Sequence, residues 1–137
     1  MIRIVVDTNI LISAFLFGGK PEMVLEKALL GHVGLVASRD ILNELEGVLC
    51  GRKFRYPPEI ARRIVREFEA MCEIVTPTRN LAVVKADSYD NMVLECAVEA
   101  RVDYVVSDDS HLLKLKRFED IPILTPAQFL KVIKAVR

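Results

Sequence analysis

Acidic side chains stand at several places where the neighbouring sequence is apolar. Asp7 directly follows the β-branched run at residues 4–6, and Asp108 and Asp109 follow a second apolar run at 104–106. Glu44 and Asp90 lie within segments that have helical periodicity. Clustered carboxylates repel one another unless a divalent cation neutralises them, and oxygen ligands favour Mg²⁺ or Mn²⁺. Such a centre could polarise a phosphoryl oxygen and generate hydroxide from water.

Asp90 gives the strongest of these signals. On a helix its neighbours at i+3, i+4 and i+7 are Val93, Leu94 and Ala97, so its side chain lies on the apolar face. A buried carboxylate costs several kcal/mol, whereas a helix N-terminus returns only about 0.3–1 kcal/mol. The position therefore implies a cationic partner. The alternative is an acid that pairs with the helix dipole and keeps its head in water.

The other acids have simpler alternatives. Glu44 lies at the margin of the apolar stripe formed by Ile41, Leu45 and Val48, and an acid at the edge of such a stripe is commonly just a boundary between the buried and exposed faces of a helix. Turns often contain acids, which is an alternative for Asp108 and Asp109. His111 is most simply a surface or capping residue. Together, however, the acids could converge on one crevice.

Strands and helices alternate along the chain. The predicted strands cover residues 2–6, 33–37, 73–75, 104–106 and 121–124, and the predicted helices cover 21–31, 40–50, 57–71, 88–100, 111–116 and a last segment capped by Thr125 and Gln128. This order predicts an α/β fold, a three-layer α/β/α sandwich with a mainly parallel central sheet. Ligands bind such sheets at the carboxyl ends of the strands, where Asp7 and the 108–109 pair are expected. We expect one domain over residues 1–137.

Composition excludes several classes of protein. The chain has 52% apolar and 28% charged residues with a formal net charge of zero, so nucleic-acid binding would need a local basic patch. Three cysteines without a CxxC pair argue against a disulfide framework or a zinc site. No Gly-rich phosphate loop, GxGxxG or Ser–His–Asp arrangement is present. The apolar runs are too short to span a membrane, and we expect a cytoplasmic protein without a signal peptide.

The order of these motifs resembles that of PIN-domain proteins, of the small prokaryotic type related to the toxins of VapBC toxin–antitoxin pairs. The resemblance covers nearly the whole chain and rests on "VVDTNILISA", "SRDILNELEGVL", "DSYDNMVLECA", "DYVVSDDSHLLKL" and "IPILTPAQFL". It implies a PIN-like fold and a Mg²⁺- or Mn²⁺-dependent ribonuclease that hydrolyses RNA phosphodiester bonds. It also implies a possible cognate antitoxin.

Carried over residue by residue, the resemblance places the four principal acids at Asp7, Glu44, Asp90 and Asp109. These would be catalytic metal ligands, with Asp87 and Asp108 as auxiliary acids.

Supporting roles fall on neighbouring polar residues. Thr8 and Asn9 would orient Asp7 by hydrogen bonds. Two positions depart from the family pattern, since Asn91 stands where close relatives often have another acid and His111 where they often have Asp. Asn91 is retained as a residue that supports the site.

Two surfaces suggest partners. Arg52, Lys53 and Arg55 share a flexible turn with Phe54 and Tyr56, a combination that suits single-stranded RNA, although a solvated basic face is the alternative. The aromatic stretch at residues 15–17, before two glycines, suggests a homodimer contact.

Two other functions compete with the ribonuclease hypothesis. The first is a catalytically degenerate PIN fold that binds RNA or protein, which the presence of all four acids disfavours. The second is a receiver-type phosphoacceptor. This chain lacks the paired acids that such a protein is expected to have after its first strand.

Overall fold

The computed structural model describes residues 1–84 and 88–136. Its strands are β1 (Ile2–Val6), β2 (Val33–Ser38), β3 (Cys72–Val75), β4 (Tyr104–Val106), β5 (Arg117–Phe118) and β6 (Ile121–Leu124). Its helices are α1 (Thr8–Phe17), α2 (Gly19–Leu29), α3 (Arg39–Cys50), α4 (Pro58–Glu69), α5 (Ser88–Ala100), α6 (Ser110–Leu115) and α7 (Pro126–Val136). None of the helices in these two ranges has the length and apolar composition needed to cross a membrane.

The six strands form one sheet in the order β3-β2-β1-β4-β6-β5. All neighbours pair in parallel except β5, which is antiparallel to β6. Strand β1 pairs with β2 on one side and with β4 on the other, where Val6 is opposite Val106. The chain therefore changes its direction of travel across the sheet between β1 and β4. A crevice at such a switch point is where open α/β sheets bind ligands.

Alternate residues of β1 enter two separate cores. Ile4 and Val6 belong to a core covered by α1, α2, α4, α7 and most of the buried face of α3, whereas Val5 belongs to a core covered by α5 and α6. Two apolar layers on opposite faces of a sheet make a three-layer α/β/α sandwich. The predicted fold class is confirmed.

Two predicted strands and two predicted helix caps are present in the structure. Strands β4 and β6 have the predicted bounds. The capping box at α7 forms as expected, because the Thr125 amide donates to Gln128 Oε1 at 2.9 Å and the Gln128 amide donates to Thr125 Oγ1 at 3.2 Å. Ser38 caps α3 by accepting a hydrogen bond from the Ile41 amide at 3.3 Å.

Other elements differ from the prediction. Helix α1 was not predicted, because its apolar residues lie on all sides and give no amphipathic period. The two-residue β5 was also missed. Helix α4 lies within the predicted helix and buries Ala61, Val65 and Phe68.

Candidate metal centre

Asp7 sits at the carboxyl end of β1, where it also caps α1. Its Oδ1 accepts a hydrogen bond from the Ile10 amide at 3.0 Å, and its Oδ2 accepts one from the Ser107 hydroxyl. Ser107 occupies the equivalent position after β4, and the Asp7 amide donates to the Val106 carbonyl at 3.2 Å. The two strand ends are thus joined through both backbone and side chains, and Asp7 is only 1% exposed.

Burial changes the protonation of Asp7. The pKa of this carboxyl is raised from 3.8 to about 6, chiefly by desolvation and to a smaller extent by the negative charges of Asp108 and Asp109. The hydrogen bonds from Ser107 and Ile10 lower this pKa and offset part of the effect. The hydrogen bonds to this carboxylate therefore offset only part of the effect of its burial. A bound cation would reverse the shift by stabilising the charged form.

Asp109 is fixed by the turn that begins α6. Its Oδ1 accepts hydrogen bonds from the amides of His111 at 2.7 Å and Leu112 at 3.2 Å. Its own amide donates to the Ser107 hydroxyl oxygen at 2.9 Å. Ser107 therefore donates to Asp7 and accepts from Asp109, and one side chain holds both acids in place.

Asp90, Asp109 and His111 come together at this edge. Each offers one ligand atom, and these atoms all lie within 4.8 Å of one another. His111 Nδ1 is 3.9 Å from Asp90 Oδ2 and 3.7 Å from Asp109 Oδ1. Asp90 is 1% exposed, in agreement with its predicted place on the apolar face of α5. The structure thus gathers residues from α5 and from the turn after β4.

Glu44 is connected to this region by its electrostatic effect on Tyr89. The Tyr89 hydroxyl accepts hydrogen bonds from the amide and the hydroxyl of Thr8. Burial raises the pKa of Tyr89, and the nearby charges of Asp7 and Glu44 raise it further. Glu44 is half-buried on α3. Among the described residues, neither Glu44 nor Asp7 belongs to the three-residue group whose ligand atoms lie within 4.8 Å of one another.

The predicted supporting residues have other contacts. Thr8 is bound to Tyr89, and the Asn9 side chain is exposed. The hydrogen bonds that orient Asp7 come from Ser107 and Ile10, whereas the sequence analysis assigned them to Thr8 and Asn9.

Two further predicted residues, Asn91 and Asp108, lie around this centre. Asn91 holds the backbone of Val84 through hydrogen bonds of 2.9 and 2.8 Å, so it anchors the segment before α5. Asp108 is exposed, and its charge reaches Asp7. Asp87 lies outside the described residues.

The basic turn lies at the far end of α3 from Ser38. Arg52, Lys53 and Arg55 are exposed. The aromatic residues between them are half-buried: Phe54 packs against the core, and Tyr56 makes an edge contact with Phe15 at a centroid distance of 6.4 Å. The cations are therefore available to an anionic ligand, whereas the rings serve mainly to anchor the turn.

Two residues of this centre, Ser107 and Tyr89, were not predicted from the sequence. Ser107 follows β4 as Asp7 follows β1, and that shared strand-end position was the available signal. Tyr89 precedes Asp90 in the first turn of α5 and reaches Thr8 across 81 positions in sequence. His111 was interpreted from the residues alone as a capping or surface residue, and the family resemblance marked it as a departure from a position where relatives often have Asp.

The chemistry of these donors fits a divalent cation. Two carboxylates and an imidazole converge, and Asp90 is buried at a level that is costly for a carboxylate without positive compensation. Asp7, with its raised pKa, is joined to this group through Ser107. Oxygen donors with one nitrogen suit Mg²⁺, Mn²⁺ or a similar ion.

Comparison of the sequence with known families gives one match. The model of the PIN domain family matches residues 3–111 of the chain. This range includes every residue of the centre described above. No curated protein matches the chain.

Three solved structures share the fold. VapBC2 from Rickettsia felis bound to a DNA fragment from their promoter has a TM-score of 0.63 at 14% identity, covering 89% of this chain and 97% of that one. DNA-bound VapBC from Salmonella typhimurium has a TM-score of 0.61 at 21% identity, covering 92% and 99%. VapBC-1 from nontypeable Haemophilus influenzae has a TM-score of 0.60 at 16% identity, covering 92% and 99%. At these identities the likeness concerns the fold.

Replacing Asp7 by Asn should stabilise the metal-free protein at neutral pH. The folded-state pKa of Asp7 is raised to about 6, so folding favours the protonated form and the stability that this group contributes falls as pH rises from 3.8 to about 6. At about 1.4 kcal/mol per pKa unit, the variant should gain up to roughly 3 kcal/mol near pH 7.5. Urea unfolding in EDTA near pH 4 and near pH 7.5 measures the difference.

Asp120→Asn is the matched control, since Asp120 is exposed and has a positive φ that Asn also adopts. Its stability relative to the wild type should be the same at both pH values. A gain for Asp7→Asn that is equal at both pH values would contradict the assignment to this carboxylate.

Proposed function

The chain belongs to the PIN domain family, and on that premise we propose that it is a Mg²⁺- or Mn²⁺-dependent endoribonuclease, the toxin of a toxin–antitoxin pair. Members of this family are nucleases. The observation that carries the proposal is the convergence of Asp90, Asp109 and His111 at the carboxyl edge of the sheet, beside the buried Asp7. A site of this composition suits a phosphodiester substrate because it concentrates cation-binding groups in the crevice where such sheets bind ligands.

The residues that would hold the ion are Asp7, Glu44, Asp90 and Asp109, with Asp87 and Asp108 as auxiliary acids. When bound there, a divalent cation would polarise a phosphoryl oxygen and lower the pKa of a water molecule. Ser107 keeps Asp7 and Asp109 in fixed orientations, which reduces the reorganisation needed when the substrate arrives. Tyr89 and Thr8 hold the start of α5 against the start of α1, so that Asp90 stays beside the strand ends.

The reaction we propose is a direct hydrolysis. Water attacks the phosphorus atom and forms a new oxygen–phosphorus bond while the bond to the leaving sugar oxygen breaks. The attacking water loses a proton and the leaving oxygen gains one. Because water is the nucleophile, no side chain becomes covalently attached to the product. This pathway requires metal-binding carboxylates and no protein nucleophile.

RNA binding would use the exposed cations of the turn between α3 and α4. Arg52, Lys53 and Arg55 can contact phosphates, and the φ of 53° at Arg55 marks a tight turn that displays them together. Phe54 and Tyr56 are packed against the protein, so this turn would contribute backbone contacts more than base stacking.

The competing hypothesis is a catalytically degenerate module that binds RNA or protein. It predicts loss of metal-ligating residues, yet all four principal acids are retained in the sequence. The raised pKa of Asp7 and the burial of Asp90 favour the nuclease, because a binding module gains nothing from such costly carboxylates.

We expect cleavage of unstructured single-stranded RNA in the presence of Mn²⁺ and its loss with EDTA. Asp90→Asn should reduce the rate roughly 100-fold or more, because the carboxylate that faces the crevice would lose its charge. Rates are measured by gel electrophoresis of a labelled RNA.

Asp120→Asn again serves as the control, with an expected rate near that of the wild type. Circular dichroism should show that both variants keep the fold. Cleavage that survives both EDTA and Asp90→Asn would contradict the metal-dependent mechanism.

A partner segment would occupy the groove between α1, α2, α3 and α4. This groove has a volume of about 270 Å³ and its apolar lining includes Leu11, Leu25, Leu45 and Ile64. Three acids, Glu22, Glu26 and Glu67, also line it. An apolar groove with acidic residues suits an amphipathic helix that carries basic residues, which is the kind of segment we propose for the antitoxin.

Charge should decide which helix binds this groove. An amphipathic peptide flanked by lysines should bind roughly tenfold more tightly than the same peptide flanked by glutamates, and Glu67→Lys should remove that preference. Fluorescence anisotropy of the two labelled peptides measures both affinities. Glu59→Lys changes an exposed acid of α4 outside the groove and should keep the preference. Equal binding of the two peptides by the wild type would contradict the proposal.

A homodimer contact is proposed at the end of α1. Phe15, Leu16 and Phe17 are 58%, 37% and 83% exposed, and they form an apolar patch next to the turn at Gly18. A patch of this kind is a common self-association surface.

Light scattering should give twice the chain mass of 15.5 kDa at micromolar concentration. Phe17→Ser should shift the mass toward the monomer, because it removes the most exposed ring of the patch. Ile60→Ser alters an exposed apolar residue of α4 and should leave the dimer intact. A wild-type monomer at all of these concentrations would contradict the homodimer.

A further inference from the structure

His111 stands in the centre with its ring toward two acids. Its Nδ1 lies 3.9 Å from Asp90 Oδ2 and 3.7 Å from Asp109 Oδ1. Its backbone amide donates to Asp109 Oδ1 at 2.7 Å. This hydrogen bond fixes the first turn of α6 and therefore the backbone from which the imidazole extends. The side chain is 48% exposed, so the ring borders both the acids and the solvent.

The two distances from His111 Nδ1 lie in the range found between ligand atoms of one six-coordinate ion. At metal–ligand distances of about 2.1 Å, adjacent donors are about 3.0 Å apart and opposite donors about 4.2 Å apart. The two observed distances of 3.7 and 3.9 Å fall between these values. A cation could therefore contact all three side chains after small rotamer adjustments.

The chemistry of an imidazole differs from that of the acids around it. A carboxylate attracts hard ions such as Mg²⁺ mainly through its charge, whereas a neutral imidazole nitrogen adds little for Mg²⁺ and more for transition metals. Among divalent first-row ions, nitrogen ligands also increase affinity along the series that begins with Mn²⁺.

We propose that His111 binds the metal ion directly through a ring nitrogen and makes the centre prefer Mn²⁺ and similar transition-metal ions over Mg²⁺. This inference rests on the proposed function, since it assigns a ligand and an ion preference to the same centre. Asp90 and Asp109 supply the negative charge, and His111 supplies the donor that discriminates between ions.

Pulsed electron paramagnetic resonance of the Mn²⁺-loaded protein tests the bond itself. A coordinated imidazole produces nitrogen modulation of the Mn²⁺ signal, which oxygen ligands do not. The wild type should show this modulation and His111→Asp should lose it. His32 is the only other histidine of the chain, so His32→Gln is the matched control and should retain the modulation.

Competition titration of Mn²⁺ against Mg²⁺ tests the preference. The dissociation constant for Mg²⁺ divided by that for Mn²⁺ measures the preference. This ratio should fall at least about tenfold in His111→Asp, because the variant replaces a nitrogen donor with a charged oxygen donor. His32→Gln should leave the ratio unchanged.

The outcomes separate this inference from the function on which it rests. Bound Mn²⁺ without nitrogen modulation in the wild type, modulation that persists in His111→Asp, or an unchanged ratio would overturn the role of His111 and leave the proposed nuclease standing. Failure of the wild type to bind Mn²⁺ at all would overturn both.

Discussion

The hydroxyl group of Ser107 links the side chains and backbone that carry the acids of the candidate centre at two strand ends. Ser107 donates to the carboxylate of Asp7 and accepts from the amide of Asp109, at the point where the sheet order changes direction between β1 and β4. Because parallel strands end at the same edge, residues 100 positions apart become neighbours. The fold thereby sets the relative positions of both acids, and α5 adds Asp90 beside them.

We expect the burial of Asp7 to reduce the stability of the metal-free fold. Asp7 and Asp90 are both 1% exposed, and burial raises the pKa of Asp7 to about 6. Burying a carboxylate without a compensating charge costs several kcal/mol, which is a large part of the net stability of a small domain, about 5–15 kcal/mol. A cation would offset it, so we expect metal binding and stability to be linked. The surrounding hydrogen bonds keep the acids oriented when no ion is bound.

Much of this site could be predicted from local patterns. Asp7 follows a β-branched run, which predicted its place at the end of a strand. Asp90 has apolar neighbours at helical spacing, which predicted its place on the buried face of a helix. Ser107 and Tyr89 were not, because their roles depend on contacts across 100 and 81 positions that no local period encodes. The residues alone did not separate Asp108 from Asp109. The family resemblance favoured Asp109, and the structure places Asp109 with Asp90 and leaves Asp108 exposed. His111 was noted only as a departure from the family pattern, because a histidine in a capping turn does not by itself indicate a metal ligand.

Anomalous diffraction from a Mn²⁺-soaked crystal tests most directly whether these acids form a metal centre. The account predicts a peak at the manganese edge within bonding distance of carboxylate oxygens of Asp90 and Asp109 and next to the imidazole of His111. A saturated crystal with no peak there, or with its peak at another part of the surface, would contradict it.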